Sequence, residues 1–377
     1  MNIELLLSCP HGMEDLLVEE LEEQGYYAAI LKPSKVIVRD ANLEAIPYLN
    51  FNIRQMHRVY LILKRGCVDT LEQLREQAGT IDFTEFMHSN QSFAVRGVRE
   101  GNHHFTSVDM SREVGSAVTE CFLKKQNTRV HADLDKPEIE FTVELSDQDF
   151  IISINTTGES QHRRDRSKFQ HFAPLKASIA ASLIRVSSFG TRGNLLDPMA
   201  GGGTIPAEAY MMAANIPPGI LNTDFAFNQL NFINQEKWSE KRQNLINNIR
   251  KDVLVSIGAA DKYHKNVMGM KKNLENHKVT IYRGDARKLN YYKPGLYDLV
   301  VCNPPYGLRV GDKQHTKELY EDFAVACAQN EIREVVALTP LHVFWERSFT
   351  KNGFRLIKKQ RVLYGRLNCY ILKMELK

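Results

Sequence analysis

Apolar residues recur with a helical period at Met13, Leu16, Leu17 and Leu21, which predicts a helix over residues 13–24. Short apolar runs at Ile3 to Ser8 and Lys35 to Arg39 flank it and read as strands, so the first forty residues predict a β-α-β order. The pattern then predicts a short helix over 42–50, a strand over 59–64 and a helix over 70–77. Ser92 to Val98 alternates like a half-exposed strand. A helix over 107–125 follows, with Val108, Val114, Val118 and Phe122 on one face. Two further runs, 138–145 and 149–155, meet at Ser146-Asp147-Gln148 and predict a β-hairpin.

After Asn155 the pattern changes. Residues 161–172 are polar, basic and aromatic, and Pro174 is expected in the first turn of a helix reaching about Phe189. From Asn194 onward strands are expected at 194–197, 253–257, 279–282, 297–302 and 334–338. Helices are expected from Thr204, from Lys262 and over 318–328. Such alternation predicts a doubly wound parallel sheet. Residues 215–252 interrupt it, and Trp238 and the helical pattern of the 240s suggest an added helical flap. The boundary with the preceding α+β region falls around Gly158 to Phe172.

Composition adds bounds. The chain has 377 residues, enough for two or three domains, with 43% hydrophobic and 25% charged content, as in globular proteins. The net charge of +4 permits a nucleic-acid partner without demanding one. Its distribution says more: between Gln161 and Arg192 there are seven Lys or Arg and one acid, Asp165. Six cysteines are scattered with no Cys-x-x-Cys pair, so free thiols in a reducing cytoplasm and no metal site are expected. The N-terminal apolar run is short and lacks a basic flank, which reads as a first strand, not a signal peptide. No run approaches the roughly 18 apolar residues of a membrane helix.

The chemistry concentrates at Asn303-Pro304-Pro305-Tyr306, directly after the apolar strand ending at Cys302. Two prolines stiffen the turn and donate no backbone hydrogen bonds. The Asn303 amide oxygen and the Pro304 carbonyl are two acceptors for an exocyclic –NH₂, and Tyr306 offers a ring for stacking. Leu195-Leu196-Asp197-Pro198-Met199-Ala200-Gly201-Gly202-Gly203-Thr204 reads as the first strand-to-helix turn, open to a ligand. Asp197 beside the glycines repels a pyrophosphate but pairs well with the ammonium of S-adenosylmethionine. Neither GxGxxG nor GxxxxGK[ST] is present, which argues against NAD and ATP. Asp261, after the second strand, is placed to accept from ribose hydroxyls, and Asp285, after the third, from an adenine amino group. Each of these two acids alone could equally be a helix N-cap. Four polar residues (Asp197, Asp261, Asp285, Asn303) at successive strand ends make the cofactor reading the better one.

These stretches, with Gly158 to Arg166, Ala173-Pro174-Leu175-Lys176 and Asn303 to Arg309, resemble the THUMP-domain RNA guanine-N2-methyltransferases. The resemblance implies an α/β class I (Rossmann-like) methyltransferase domain over 161–377. Before it come an α+β ferredoxin-like element over 1–55, completed by later strands, and a THUMP RNA-binding domain over 56–160. It implies S-adenosylmethionine as cofactor, bound by Pro174, Asp197, Pro198, Ala200, Gly201, Gly203, Thr204, Asp261, Asp285, Ala286 and Asn303. Asn303, Pro304 and Tyr306 are the implied catalytic residues. His162, Arg163, Arg164, Arg166 and Arg309 are expected on RNA phosphates. Structured RNA is the expected partner, with the protein a monomer in the cytoplasm and no metal or membrane involved. The C-terminal Gly365-Arg366-Leu367 hairpin and Gly307 to Gly311 favour the branch that methylates tRNA at G6, whereas Pro304 is the commoner form in the 23S rRNA branch. A DNA adenine-N6 or protein-glutamine methyltransferase could use the same tetrapeptide, and a non-catalytic RNA-binding protein is the alternative of another class.

Overall fold

The computed structural model describes residues 2–163, 169, 174–190, 193–307 and 312–377. The N-terminal half runs β1 (Ile3–Ser8), α1 (Glu14–Glu23), β2 (Tyr27–Lys32), β3 (Lys35–Ala41), α2 (Ala45–Asn52), β4 (Arg58–Cys67), α3 (Leu71–Gly79), β5 (Ser92–Glu100), α4 (Ser107–Gln126), β6 (His131–Ala132), β7 (Ile139–Ser146) and β8 (Asp149–Asn155). The first six elements have the β-α-β-β-α-β order of a ferredoxin-like unit. The unit does not stand alone. All eight strands form one sheet, in the order β2-β3-β1-β4-β8-β7-β5-β6. β4 is the shared strand, pairing Tyr60 with Leu6 of β1 and Leu61 with Ile154 of β8. Period-two alternation explains its two faces: Leu5 and Leu7 enter the main core, while Leu6 joins Tyr60 and Ile151 on the other side. Edge strand β2 was not foreseen from the sequence.

The C-terminal half contains α5 (Ala177–Val186), β9 (Leu195–Asp197), α6 (Thr204–Ala213), α7 (Gln235–Asn247), β10 (Ile257–Asp261), α8 (His264–Asn273), β11 (Thr280–Arg283), β12 (Leu299–Cys302), α9 (Asp312–Gln329), β13 (Glu334–Thr339), α10 (His342–Lys351), β14 (Phe354–Tyr364) and β15 (Leu367–Leu376). Its sheet order is β11-β10-β9-β12-β13-β15-β14, parallel except for β15, which lies antiparallel to both β13 and β14. Strand order reverses between β9 and β12, the switch point at which open α/β sheets bind ligands.

Three expectations are corrected. The second strand of this sheet begins at Ile257, not Val253. Its neighbour β9 is short and registers Leu195 on Ile257, so residues before 256 have no strand to pair with, and Leu254 is left exposed. Pro174 lies outside α5, and its carbonyl accepts from Tyr364 Oη at 3.1 Å instead. The insertion is a brace, not a flap. Trp238 of α7 is buried edge-on against Phe51 (5.4 Å between ring centres) and Phe227 (5.8 Å). Gly219 donates to the Phe51 carbonyl at 2.9 Å and Phe227 to Thr156 at 2.8 Å, so these residues of the C-terminal half complete the N-terminal core.

Candidate active site

β9 brings Leu195 and Leu196 into the core and leaves Asp197 at its C-terminal end, only 2% exposed. Asp197 Oδ1 accepts from the Met199 N–H at 3.1 Å. Burial raises its carboxyl well above the usual carboxylate range; the Met199 bond opposes this and the nearby Asp261 charge adds to it. A buried acid of high proton affinity is a poor resting anion and a good partner for an incoming cation. Gly201 (φ 55°) and Gly203 (φ 90°) adopt left-handed conformations that bend the chain from β9 into α6. The turn is stitched to β10: Gly201 N–H donates to Asp261 Oδ2 at 3.1 Å, and Ala200 N–H to the Ala260 carbonyl at 2.9 Å. Pro198 and Thr204 bracket this turn, Thr204 as the first residue of α6. Asp261 is the last residue of β10, and its Oδ1 accepts from the Tyr263 N–H at 2.8 Å.

Asp285 stands two residues beyond β11, not at its end. Arg287 grips it with Nε at 3.0 Å and Nη2 at 2.6 Å, and Lys262 lies 3.7 Å away. The Arg287 hydrogen bonds hold the Asp285 carboxyl down at about 2. The adjacent Ala286 is buried among Tyr292, Tyr297 and Leu196. One residue here escaped the sequence reading. The Tyr291 ring lies so close over Gly284 that any Cβ there would collide with it, and its hydroxyl is buried with no hydrogen-bond partner among the described residues. A tyrosine eight residues past a strand end carries no motif, so only the fold reveals it.

Asn303 follows β12 at the same edge of the sheet. Pro304 is buried and Pro305 exposed. The Pro305 carbonyl accepts from Tyr320 Oη at 2.9 Å, and Tyr320 in turn meets Thr339 Oγ1 at 3.0 Å. The tip is thus braced by a tyrosine of α9 and a threonine ending β13, neither of which the sequence singled out. Tyr306 packs beside Tyr364 and Leu367, and its hydroxyl donates to Asn303 Oδ1 at 2.5 Å. Burial raises the Tyr306 phenol, so it is a neutral donor. The acceptor expected to receive a substrate amine is therefore engaged by the protein's own tyrosine.

His162 does not extend freely into solvent. Its Nδ1 meets Ser160 Oγ at 2.5 Å and its ring lies 5.0 Å from His57, whose Nε2 meets Ser178 Oγ of α5 at 3.0 Å. That places it at the joint between the two halves. The Arg163 side chain, Arg164, Arg166 and Arg309 lie outside the described residues. Among the described residues no group of His, Cys, Asp and Glu is arranged to hold a metal, and no helix is long and apolar enough to cross a membrane.

Comparison with known proteins gives the family of the chain. Residues 164–369 match the family described as RMKL-like, methyltransferase domain; residues 68–155 match the THUMP domain and 4–60 the RlmL ferredoxin-like domain. A tRNA (guanine(6)-N2)-methyltransferase of Methanocaldococcus jannaschii is 32% identical, covering 94% of this chain and 95% of the relative. The ribosomal RNA large subunit methyltransferase K/L of Legionella pneumophila is 28% identical over 98% of this chain, but only 52% of that protein. A crystal structure of a possible methylase from Clostridium difficile shares the fold, with a TM-score of 0.89 at 23% identity, covering 100% of this chain and 99% of that one. With a methyltransferase match over more than half its length, the chain belongs to the RMKL-like methyltransferase-domain family, in a form that carries ferredoxin-like and THUMP domains.

Proposed function

We propose that the protein transfers a methyl group from S-adenosylmethionine to the exocyclic N2 of a guanosine in tRNA, at position 6 of the acceptor stem. The observation that carries this is the likeness to the M. jannaschii enzyme, 32% identity over 94% of the chain, which spans RNA-binding and methyltransferase regions alike. The residues fit the cofactor. Asp197 offers a buried carboxylate to an ammonium group, Asp261 keeps lone pairs for ribose hydroxyls, and the left-handed Gly201 and Gly203 bend the turn that would form the cradle. Pro198, Ala200, Thr204 and Ala286 complete the cradle, with Pro174 at its border. Asp285 reaches an adenine amino group only by sharing its oxygens with Arg287.

When bound, S-adenosylmethionine supplies an electrophilic methyl carbon on a sulfonium. The protein's part is alignment. Asn303 Oδ1 and the Pro304 carbonyl accept the two amine protons of guanine and turn the nitrogen lone pair outward. Tyr320 keeps the tip from rotating through the Pro305 carbonyl. The amine displaces the Tyr306 hydroxyl from Asn303 Oδ1, which frees the Tyr306 ring to stack on the base. The amine nitrogen would form its bond to the methyl carbon as the carbon–sulfur bond breaks, with S-adenosylhomocysteine leaving, and would then release a proton to water; no strong base is needed, because methylation makes that nitrogen acidic. Removing the base from its helix costs a few kcal/mol, partly offset by stacking. In this reading residues 56–160 grip RNA, Arg163, Arg164, Arg166 and Arg309 hold phosphates, and the protein works as a cytoplasmic monomer.

The test is methylation with labelled S-adenosylmethionine of an unmodified tRNA transcript carrying G6 and of one carrying A6. N2-methylguanosine is expected in the first alone. Pro304 and the likeness to the K/L enzyme favour a second reading, a large-subunit rRNA guanine; label confined to 23S rRNA establishes it instead.

A further inference from the structure

Helix α8 carries a glycine, Gly269, in its interior. Glycine is a poor helix former, so it calls for a steric reason. Gly269 is buried, and a Cβ added there would collide with the ring of Phe169. One turn later, Asn273 clamps the same residue. Its Oδ1 accepts from the Phe169 N–H at 2.9 Å, and its Nδ2 donates to the Phe169 carbonyl at 3.0 Å. The same Nδ2 donates to the carbonyl of Gly202, in the middle of the glycine turn, at 2.9 Å. Phe169 lies three residues beyond Arg166, in the most basic stretch of the chain. One side-chain amide thus joins the glycine turn to Phe169.

We propose that Gly269 and Asn273 are positioning residues that couple cofactor binding to RNA binding, by seating Phe169 on α8 in register with the glycine turn. The inference rests on the function proposed above. Its physical content is linkage. Whatever fixes Gly202 fixes the Asn273 amide, and the amide fixes Phe169 from both sides of its backbone. If the glycine turn shifts, the amide Nδ2 loses one of its two acceptors. Coupling of this kind is reciprocal: cofactor tightens RNA by the factor by which RNA tightens cofactor.

The experiment measures tRNA affinity of the full chain with and without saturating S-adenosylhomocysteine. The wild type is expected to bind a G6 transcript roughly tenfold tighter with the ligand, within the usual range of coupling. Gly269→Ala improves helix propensity, so folding is not at risk, yet its Cβ evicts Phe169. It is expected to reduce the coupling below about twofold while binding S-adenosylhomocysteine alone within about threefold of wild type. Phe169→Ala, which leaves α8 untouched, is expected to do the same. Wild-type coupling retained in both variants overturns the clamp even if tRNA is still methylated. A wild type that ignores tRNA but shows coupling with an rRNA fragment, lost in Gly269→Ala, supports the clamp and overturns the tRNA reading alone.

Discussion

In the function proposed above, Asp197 is the residue on which cofactor binding turns. In the free protein, burial makes its carboxyl hold a proton above the usual range. A bound ammonium favours the anion, so binding releases a proton and affinity rises with pH until the free-protein carboxyl is ionised. Calorimetry in buffers of different ionisation enthalpy should detect that proton; buffer-independent heats would contradict the assignment. Asp197→Asn removes the same burial cost without the charge. It is expected to stabilise the free protein by on the order of 1 kcal/mol while weakening S-adenosylmethionine at least about a hundredfold. At the tip, Asn303→Ala should lower kcat by about 10²–10³ with a small change in KM for RNA, as for loss of a group aligned on the reacting atom. Tyr306→Phe keeps the ring but removes the hydroxyl that competes for Asn303 Oδ1. Its kcat should stay within about threefold of wild type and its KM for RNA should not rise; a collapse in kcat would give that hydroxyl a chemical role. The strand-end residues were legible in the sequence because each follows an apolar run. Their present partners, Arg287 on Asp285 and Tyr306 on Asn303, were not, because rotamers carry no sequence signal.

At the scale of elements, the insertion between α6 and β10 departs most from the sequence reading. Its helical character was evident from the 240s pattern, but nothing in 215–252 says which surface it covers. The answer lies in Phe51, Thr156 and Phe227, which are distant in sequence and meet only in the fold. Trp238→Ala should cost about 3–5 kcal/mol, the usual penalty for emptying an aromatic site, and show as a lower denaturation midpoint. A midpoint unchanged within error would return α7 to the role of a flap. Strand β10 teaches the same lesson on a smaller scale. Val253 and Val255 have the composition of a strand, yet pairing begins where β9 offers a partner, at Leu195.

For the whole molecule, the two halves share core and polar contacts. Met13, just before α1, and Leu16 of α1 pack with Ile179 and Leu183 of α5, while Ser182 Oγ donates to Gln55 Oε1 at 2.9 Å. Phe225, Phe227 and Trp238 return the contact into the N-terminal core. Unfolding should therefore appear as one cooperative transition by fluorescence and by far-UV circular dichroism. The isolated segment 161–377 should aggregate, because it exposes those three aromatic residues. Two separate transitions, or a well-behaved isolated segment, would falsify the shared-core account.

The sequence by itself determined most of the order of elements, the doubly wound sheet and which polar residues stand at or just beyond its strand ends. Those follow from local periodicity and from short motifs whose residues are neighbours in the chain. The tertiary structure alone decided that β4 joins two units into one sheet, that the insertion braces the N-terminal core, and that Asn273 links the glycine turn to Phe169. Each of these depends on which distant surfaces meet, and the free energy of such meetings is set by shape and burial, which a linear pattern does not encode.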